Sequence, residues 1–232
     1  MRDVLDDAAT LRAADPRGVV AAFEATGDQL RRAHDAARDA AIPFAGEARS
    51  VTFCAMGGSA AAGDLIAAGF GDRVRLPLST LRGYRVPAGY GEEDVVVCVS
   101  YSGDTEETLG AFDAARERGC TVIAVCGGGA LADRARESDT PVVEIPADAP
   151  VPRAGLGALV GGALGAVVGA GLASGVDEDL EDAATTADAL SAEFGPDRPT
   201  TDNEAKVIAE WVGDRIPVIW GSEGVSGAAA WR

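Results

Sequence analysis

The chain has 232 residues, 47% of them hydrophobic, enough for one large domain with a sizeable buried core. Its formal net charge of −17 argues against nucleic acid as a partner. Lys206 is the one lysine and every other basic residue but His34 is arginine, a balance expected of a halophilic, cytoplasmic protein; the alternative is a GC-rich genome coding an acidic surface. At about 1 M salt the Debye length is roughly 3 Å, so such a surface would hardly repel an anionic ligand.

Residues 1–48 read as a polar helical arm, with Leu11, Val19, Val20, Phe23 and Leu30 as a partial apolar stripe. Its first ten residues, "MRDVLDDAAT", are acidic rather than basic and apolar, unlike a secretory leader. The lone His34, with no cysteine near it, makes a poor metal ligand. The texture then changes. "VTFCA" (51–55) reads as a short buried strand, followed by "MGGSAAAGDLIAAGF", a glycine turn opening a helix. "RVRLPLS" (73–79), "DVVVCVS" (94–100), "CTVIAVC" (120–126) and "PVVEIP" (141–146) are further strand candidates. The second of these is a continuous β-branched run suited to a parallel strand covered on both faces. Helices are expected between them, one carrying Leu109 and Phe112 and one over "ALADRARESD". This alternation predicts an α/β fold, a doubly wound parallel sheet flanked by helices.

Four cysteines, Cys54, Cys98, Cys120 and Cys126, form no CxxC pair, and three sit in apolar runs, as small buried hydrophobes do. Residues 154–175, "AGLGALVGGALGAVVGAGLASG", are uncharged and long enough to cross a bilayer. Their apolar content is mainly Ala and Gly, with a weak drive into lipid, so a buried helix is expected and no membrane association. Residues 175–201 read as an acidic helical linker ending at Pro196 and Pro199. From 202 the pattern restarts: a helix in "NEAKVIAEWVGD", a strand in "RIPVIWG" and a Gly/Ser turn opening a helix in "SEGVSGAAAWR".

Two turns carry candidate chemistry. Both follow a strand and precede a helix, where ligands bind in parallel α/β sheets and where helix N-termini offer unpaired amides. In Met56-Gly57-Gly58-Ser59 the glycines allow close backbone approach, and Ser59 can cap the helix or touch a ligand. In "VSYSGDTEETL" (99–109) Ser100, Ser102 and Thr105 can converge on an anion, with Gly103 keeping the space open. The carboxylates there have local work: Asp104 and Glu107 have capping-box spacing, and acidic groups suit a first helical turn. "CGGGALAD" (126–133) lacks GxGxxG spacing and reads as a plain turn.

Together "MGGSAAAGD", "SYSGDTEETL" and "PVPRAGLG" (150–157) resemble the sugar isomerase (SIS) domain, whose sheet is flavodoxin-like. The trio is most similar to the bifunctional phosphoglucose/phosphomannose isomerases, over about 49–232. The resemblance implies a 1–48 helical arm, a 49–174 SIS domain, a 175–201 linker and a 202–232 start of a second, incomplete SIS-like unit. It implies that Gly57, Gly58 and Ser59 contact sugar, that Ser100, Ser102 and Thr105 hold its phosphate, and that Arg153 stabilises an enediolate as glucose or mannose 6-phosphate becomes fructose 6-phosphate. The family's glutamate base, ring-opening histidine and late lysine fall beyond this sequence; Glu204 in "DNEAK" precedes a strand and is no substitute, and His34 is misplaced. No cofactor or metal is implied, and a homodimer is expected. The readings left open are an isomerase whose remaining part is missing from this sequence or supplied by another polypeptide, a sugar-phosphate-binding SIS module without turnover, and the remnant of a split gene.

Overall fold

The computed structural model describes residues 2–40, 42–44 and 46–230; Met1, Trp231 and Arg232, which belong to the predicted arm and last unit, lie outside the described residues. Four helices come first: α1 (Arg2–Leu5), α2 (Ala8–Ala14), α3 (Val19–Glu24) and α4 (Thr26–Asp39). Strands and helices then alternate as β1 (Ser50–Cys54), α5 (Gly57–Phe70), β2 (Leu78–Leu81), β3 (Asp94–Ser100), α6 (Glu106–Glu117), β4 (Thr121–Cys126), α7 (Gly129–Glu137) and β5 (Val142–Glu144). Four more helices follow: α8 (Leu156–Gly169), α9 (Asp177–Phe194), α10 (Glu204–Val212) and α11 (Val225–Ala230).

The five strands form one parallel sheet in the order β2-β1-β3-β4-β5. Successive side chains of a strand face opposite ways, and β3 shows both faces covered. Val95, Val97 and Val99 join the core beneath α4, α5 and α8, while Val96 and Cys98 join the one beneath α6 and α7. All seven residues of β3 are buried, as its unbroken valine run predicts. Cys54 and Cys98 are register partners across β1 and β3, both fully buried and both free thiols.

Two strand expectations change. The segment 73–79 becomes a strand only from Leu78, because Gly71–Arg73 is a 3-10 turn and Pro77 has no N–H to give to a ladder. The segment "RIPVIWG" is not a strand: Ile216, Val218, Ile219 and Trp220 lie 71–91% exposed in irregular chain. An extended apolar run becomes a strand only beside another strand's free backbone groups, and this one meets none. α11 rests on α5 instead.

The uncharged segment forms α8, a core helix with eleven of its fourteen residues buried between the sheet and α4. Its small residues permit that contact: a Cβ at Gly161 would collide with the Leu30 carbonyl oxygen of α4. On the α4 side the partners are Leu30, Ala33 and Ala37, whereas Val20 and Phe23 of the expected stripe remain exposed. The acidic α9 lies against α4 as well. Arg31 reaches Glu181 and Asp188, each at 2.7 Å, and Leu180 and Ala184 are buried. Such solvent-exposed pairs each contribute only about 0–1 kcal/mol, so the buried apolar residues carry the contact and the ion pairs set its register.

His34 is buried on α4, with Nε2 lacking a partner. Burial pushes its pKa below the ordinary value; Asp177 and Asp35 oppose that and Arg38 adds to it. The fold therefore favours neutral imidazole. The stability gained is complete above the unfolded pKa of about 6.5 and is lost as pH falls below it, levelling off at the lower folded pKa. The urea midpoint is expected to fall between pH 7 and 5, and His34→Gln to fall less over the same range; equal slopes in the two proteins would refute the assignment.

Candidate functional site

The sheet order makes β1 and β3 neighbours whose onward connections run to opposite sides, towards β2 and towards β4. At such a switch point a crevice opens at the carboxyl ends of the strands. The two turns singled out in the sequence stand there side by side.

The first turn leaves β1 through Met56, the extended residue before α5, and enters the helix at Gly57 with φ +52°. Ser59 is therefore inside α5, not its cap. Its buried Oγ accepts a hydrogen bond from Tyr101 N–H at 3.3 Å, which joins the first turn to the second. Gly58 faces the backbone of Arg153: a Cβ there would lie 3.8 Å from Arg153 Cα.

The second turn holds its hydroxyls by backbone amides. Ser100 Oγ accepts from Gly103 N–H at 3.0 Å, and Ser102 Oγ accepts from Asp104 N–H at 3.2 Å. Ser100 Oγ and Thr105 Oγ1 are 2.9 Å apart. Each hydroxyl has one proton to give. Ser59 and Ser102 use only their acceptor sides in these bonds, and the Ser100–Thr105 pair uses one of its two protons. Three hydroxyl protons are thus left over by these bonds. Thr105 is the residue before α6, and no side chain caps that helix. Its first amides are the ordinary unpaired donors of a helix start.

The carboxylates of this turn lie otherwise than the capping-box spacing suggests. Asp104 Oδ1 accepts from Ala130 N–H at 2.9 Å and so serves the start of α7, not of α6. Glu106 is exposed. The charge of Glu107 raises the pKa of the Tyr84 phenol, with burial and then Glu106 adding to the effect. The "CGGG" turn also proves to be more than a connection, since its backbone donates to Tyr101 O from Gly127 and to Gly103 O from Leu131, at 3.2 and 2.9 Å.

The third landmark is tied in by Tyr101, a residue the sequence reading passed over. Its Oη donates to Ala149 O at 3.0 Å and accepts from Ala149 N–H at 2.8 Å. Its ring occupies the space a side chain on Gly155 would fill. This fixes the 3-10 turn Pro152–Gly155 next to α5, with Arg153 exposed. Gly58, Val151, Pro152 and Arg153 line a pocket of about 500 Å³. Below the turns, Cys98 is pushed well up in pKa by Cys54 and by burial, and Cys126 by burial, so these thiols stay protonated. Among the described residues, no three His, Cys, Asp or Glu side chains are placed to hold a metal ion. Glu204 stands exposed at the start of α10. Tyr101→Phe would leave both backbone groups of Ala149 without their partner and is expected to lower folding stability by about 1–3 kcal/mol in urea titrations; an unchanged midpoint would contradict the strut.

No family model matches the chain. It is 30% identical over 206 residues to a bifunctional phosphoglucose/phosphomannose isomerase of Caldicellulosiruptor bescii, an alignment covering 88% of this chain and 60% of the relative. An Aquifex aeolicus protein of the same name is 34% identical over 137 residues, 58% of this chain and 40% of the relative. The chain thus spans 60% or less of the length of these curated relatives. Among solved structures, the C-terminal domain of glucosamine-fructose-6-phosphate aminotransferase from Francisella tularensis superposes with a TM-score of 0.56 at 16% identity, over 84% of this chain and 58% of that one. Sequence and fold agree: the chain is a homologue of the bifunctional phosphoglucose/phosphomannose isomerases, built on the SIS-type α/β fold.

Proposed function

We propose that the crevice at the β1/β3 switch point binds a hexose 6-phosphate for aldose–ketose isomerisation, converting glucose or mannose 6-phosphate to fructose 6-phosphate. The observation that carries this reading is the donor arrangement. Ser59, Ser100, Ser102 and Thr105 accept from the backbone or from one another, and three hydroxyl protons remain beside an uncapped helix start. Those protons and the helix amides are neutral donors suited to a phosphate monoester. Gly57 and Gly58 leave room for the sugar, and Arg153, across from Gly58, would stabilise the enediolate that forms as a proton passes between C1 and C2. A cytoplasmic homodimer belongs to the same reading and rests on the resemblance alone.

Isomerisation also requires a base close to C2. The hydroxyls of the two turns are not bases, Asp104 is bonded to α7, and among the described residues neither Glu106 nor Glu107 is hydrogen-bonded to the hydroxyls. These facts favour a second reading, binding of the sugar phosphate without turnover. Conversion of fructose 6-phosphate to glucose 6-phosphate, followed by a coupled dehydrogenase assay, separates the two. Titration calorimetry tests what they share. Thr105→Val removes one hydroxyl and is expected to weaken binding of fructose 6-phosphate by about 1–2 kcal/mol, roughly fivefold to thirtyfold. Unchanged affinity in the variant, or no binding by the parent, would overturn the phosphate turn.

A further inference from the structure

Two glycine-containing turns meet beside the crevice, and among the described residues one carboxylate is the only side chain hydrogen-bonded between them. The 100–105 turn and the 126–131 turn are close enough to exclude a side chain at Gly103 and at Gly129. A Cβ at Gly103, where φ is +78°, would collide with the Gly128 carbonyl. One at Gly129, where φ is +67°, would lie 2.5 Å from Ser102 O and 2.7 Å from Asp104 Oδ1. Two backbone hydrogen bonds cross between the turns, Gly127 N–H to Tyr101 O and Leu131 N–H to Gly103 O. They flank Ser102 along the backbone, but neither engages its Oγ and neither reaches past Gly103 towards Thr105. The third bond does: Asp104 Oδ1 accepts from Ala130 N–H at 2.9 Å, while Asp104's own N–H donates to Ser102 Oγ at 3.2 Å.

We propose that Asp104 is a positioning residue for the phosphate turn, its carboxylate anchored on the first turn of α7 so that its backbone amide orients the Ser102 hydroxyl and its neighbour Thr105 stays against Ser100. The inference rests on the reading of this turn as a phosphate site. Only the acceptor oxygen does the positioning. The negative charge favours the start of α7 but acts against a phosphate dianion a few residues away. Acceptor and charge therefore have opposite effects on ligand affinity, and they separate by substitution. An asparagine keeps an oxygen for Ala130 N–H and drops the charge; an alanine drops both.

The test is calorimetric binding of fructose 6-phosphate and of inorganic phosphate to the full chain, for the parent, Asp104→Ala and Asp104→Asn, with thermal melts recorded alongside. Asp104→Ala is expected to bind both ligands about fivefold to tenfold more weakly at a temperature where it is fully folded. Asp104→Asn is expected to regain the parent's affinity or exceed it at low ionic strength, the excess vanishing near about 1 M salt, where charges are screened within roughly 3 Å. A purely structural role would lower the melting temperature and leave affinity in the folded protein unchanged; that result overturns the inference. So does Asp104→Asn binding as weakly as Asp104→Ala, or more weakly than the parent should the alanine variant fail to fold. A parent that binds neither ligand removes the phosphate site itself and this inference with it, whereas a parent that binds normally beside an unaffected alanine variant removes the inference alone.

Discussion

β1 lies parallel to β3 from Ser50 opposite Asp94 to Cys54 opposite Cys98. β3 runs two residues past that last pair, to Ser100, and after β1 the chain stays extended to Met56, so the two turns open side by side; because the strands continue to opposite edges of the sheet, a crevice lies between their connections. The start of the pairing is held as firmly as its end. Asp94 is buried beneath a forked contact from Arg49, with Ser50 Oγ and Gly91 N–H also donating to it, and this brings its pKa down to about 2. At the other end Tyr101 N–H reaches Ser59 and Tyr101 Oη reaches Ala149, so one residue connects three separate stretches of sequence around the crevice. A one-residue slip between β1 and β3 would turn the faces of the sheet over and undo all of these contacts together.

In the proposed phosphate turn, hydroxyls and amides in place of cations fit the rest of the molecule. Several arginines are matched to the abundant carboxylates: Arg31 to Glu181 and Asp188, Arg49 to Asp94, Arg73 to Asp179. Lys206, the one lysine, is buried and donates to Pro196 O and Arg198 O at 2.7 and 2.6 Å, bracing the connection before α10. A binding turn made of neutral donors does not compete for those carboxylates. Its hydrogen bonds act at contact distance and are little screened by salt, unlike long-range attraction to a basic surface.

Much of this was legible in the sequence. The β-branched run at 94–100 specified a strand covered on both faces, and β3 is one. The alternation of strands and helices specified a parallel sheet, and the hydroxyl-rich turn after β3 stands at its switch point. The misses have local causes. Asp104 has the spacing of a capping residue, but its partner is Ala130, twenty-six residues on and in another turn; spacing along one helix says nothing of a neighbouring one. Tyr101 sits at the end of an apolar strand, where an aromatic ring looks like core, and only the folded chain shows its hydroxyl meeting Ala149. Of the apolar stripe expected of the first helices, Leu30 lies in the contact with α8, whereas Val20 and Phe23 stay exposed and Ala33 and Ala37, outside that stripe, complete the contact where the glycines of α8 bring the two backbones together. The run at 215–221 has strand composition without a strand to pair with, and composition alone does not supply one.

Holding a phosphate and moving a proton make opposite demands on one turn. A base strong enough to take a proton from carbon is most readily a carboxylate, and a free carboxylate aimed into a phosphate site would repel the ligand it serves. In the proposed reading the turn after β3 meets this by committing Asp104 to α7 and leaving Glu106 exposed, while the charge of Glu107 acts on Tyr84. In the proposed reaction the carbons that exchange a proton, C1 and C2, are at the far end of the hexose from its 6-phosphate. A sugar whose phosphate rests among Ser100, Ser102 and Thr105 presents those carbons away from the turn, towards the pocket beside Gly58 and Arg153. The catalytic base of such a reaction belongs on that side, and a phosphate turn free of inward-facing carboxylates is what an arrangement with separated binding and proton transfer requires.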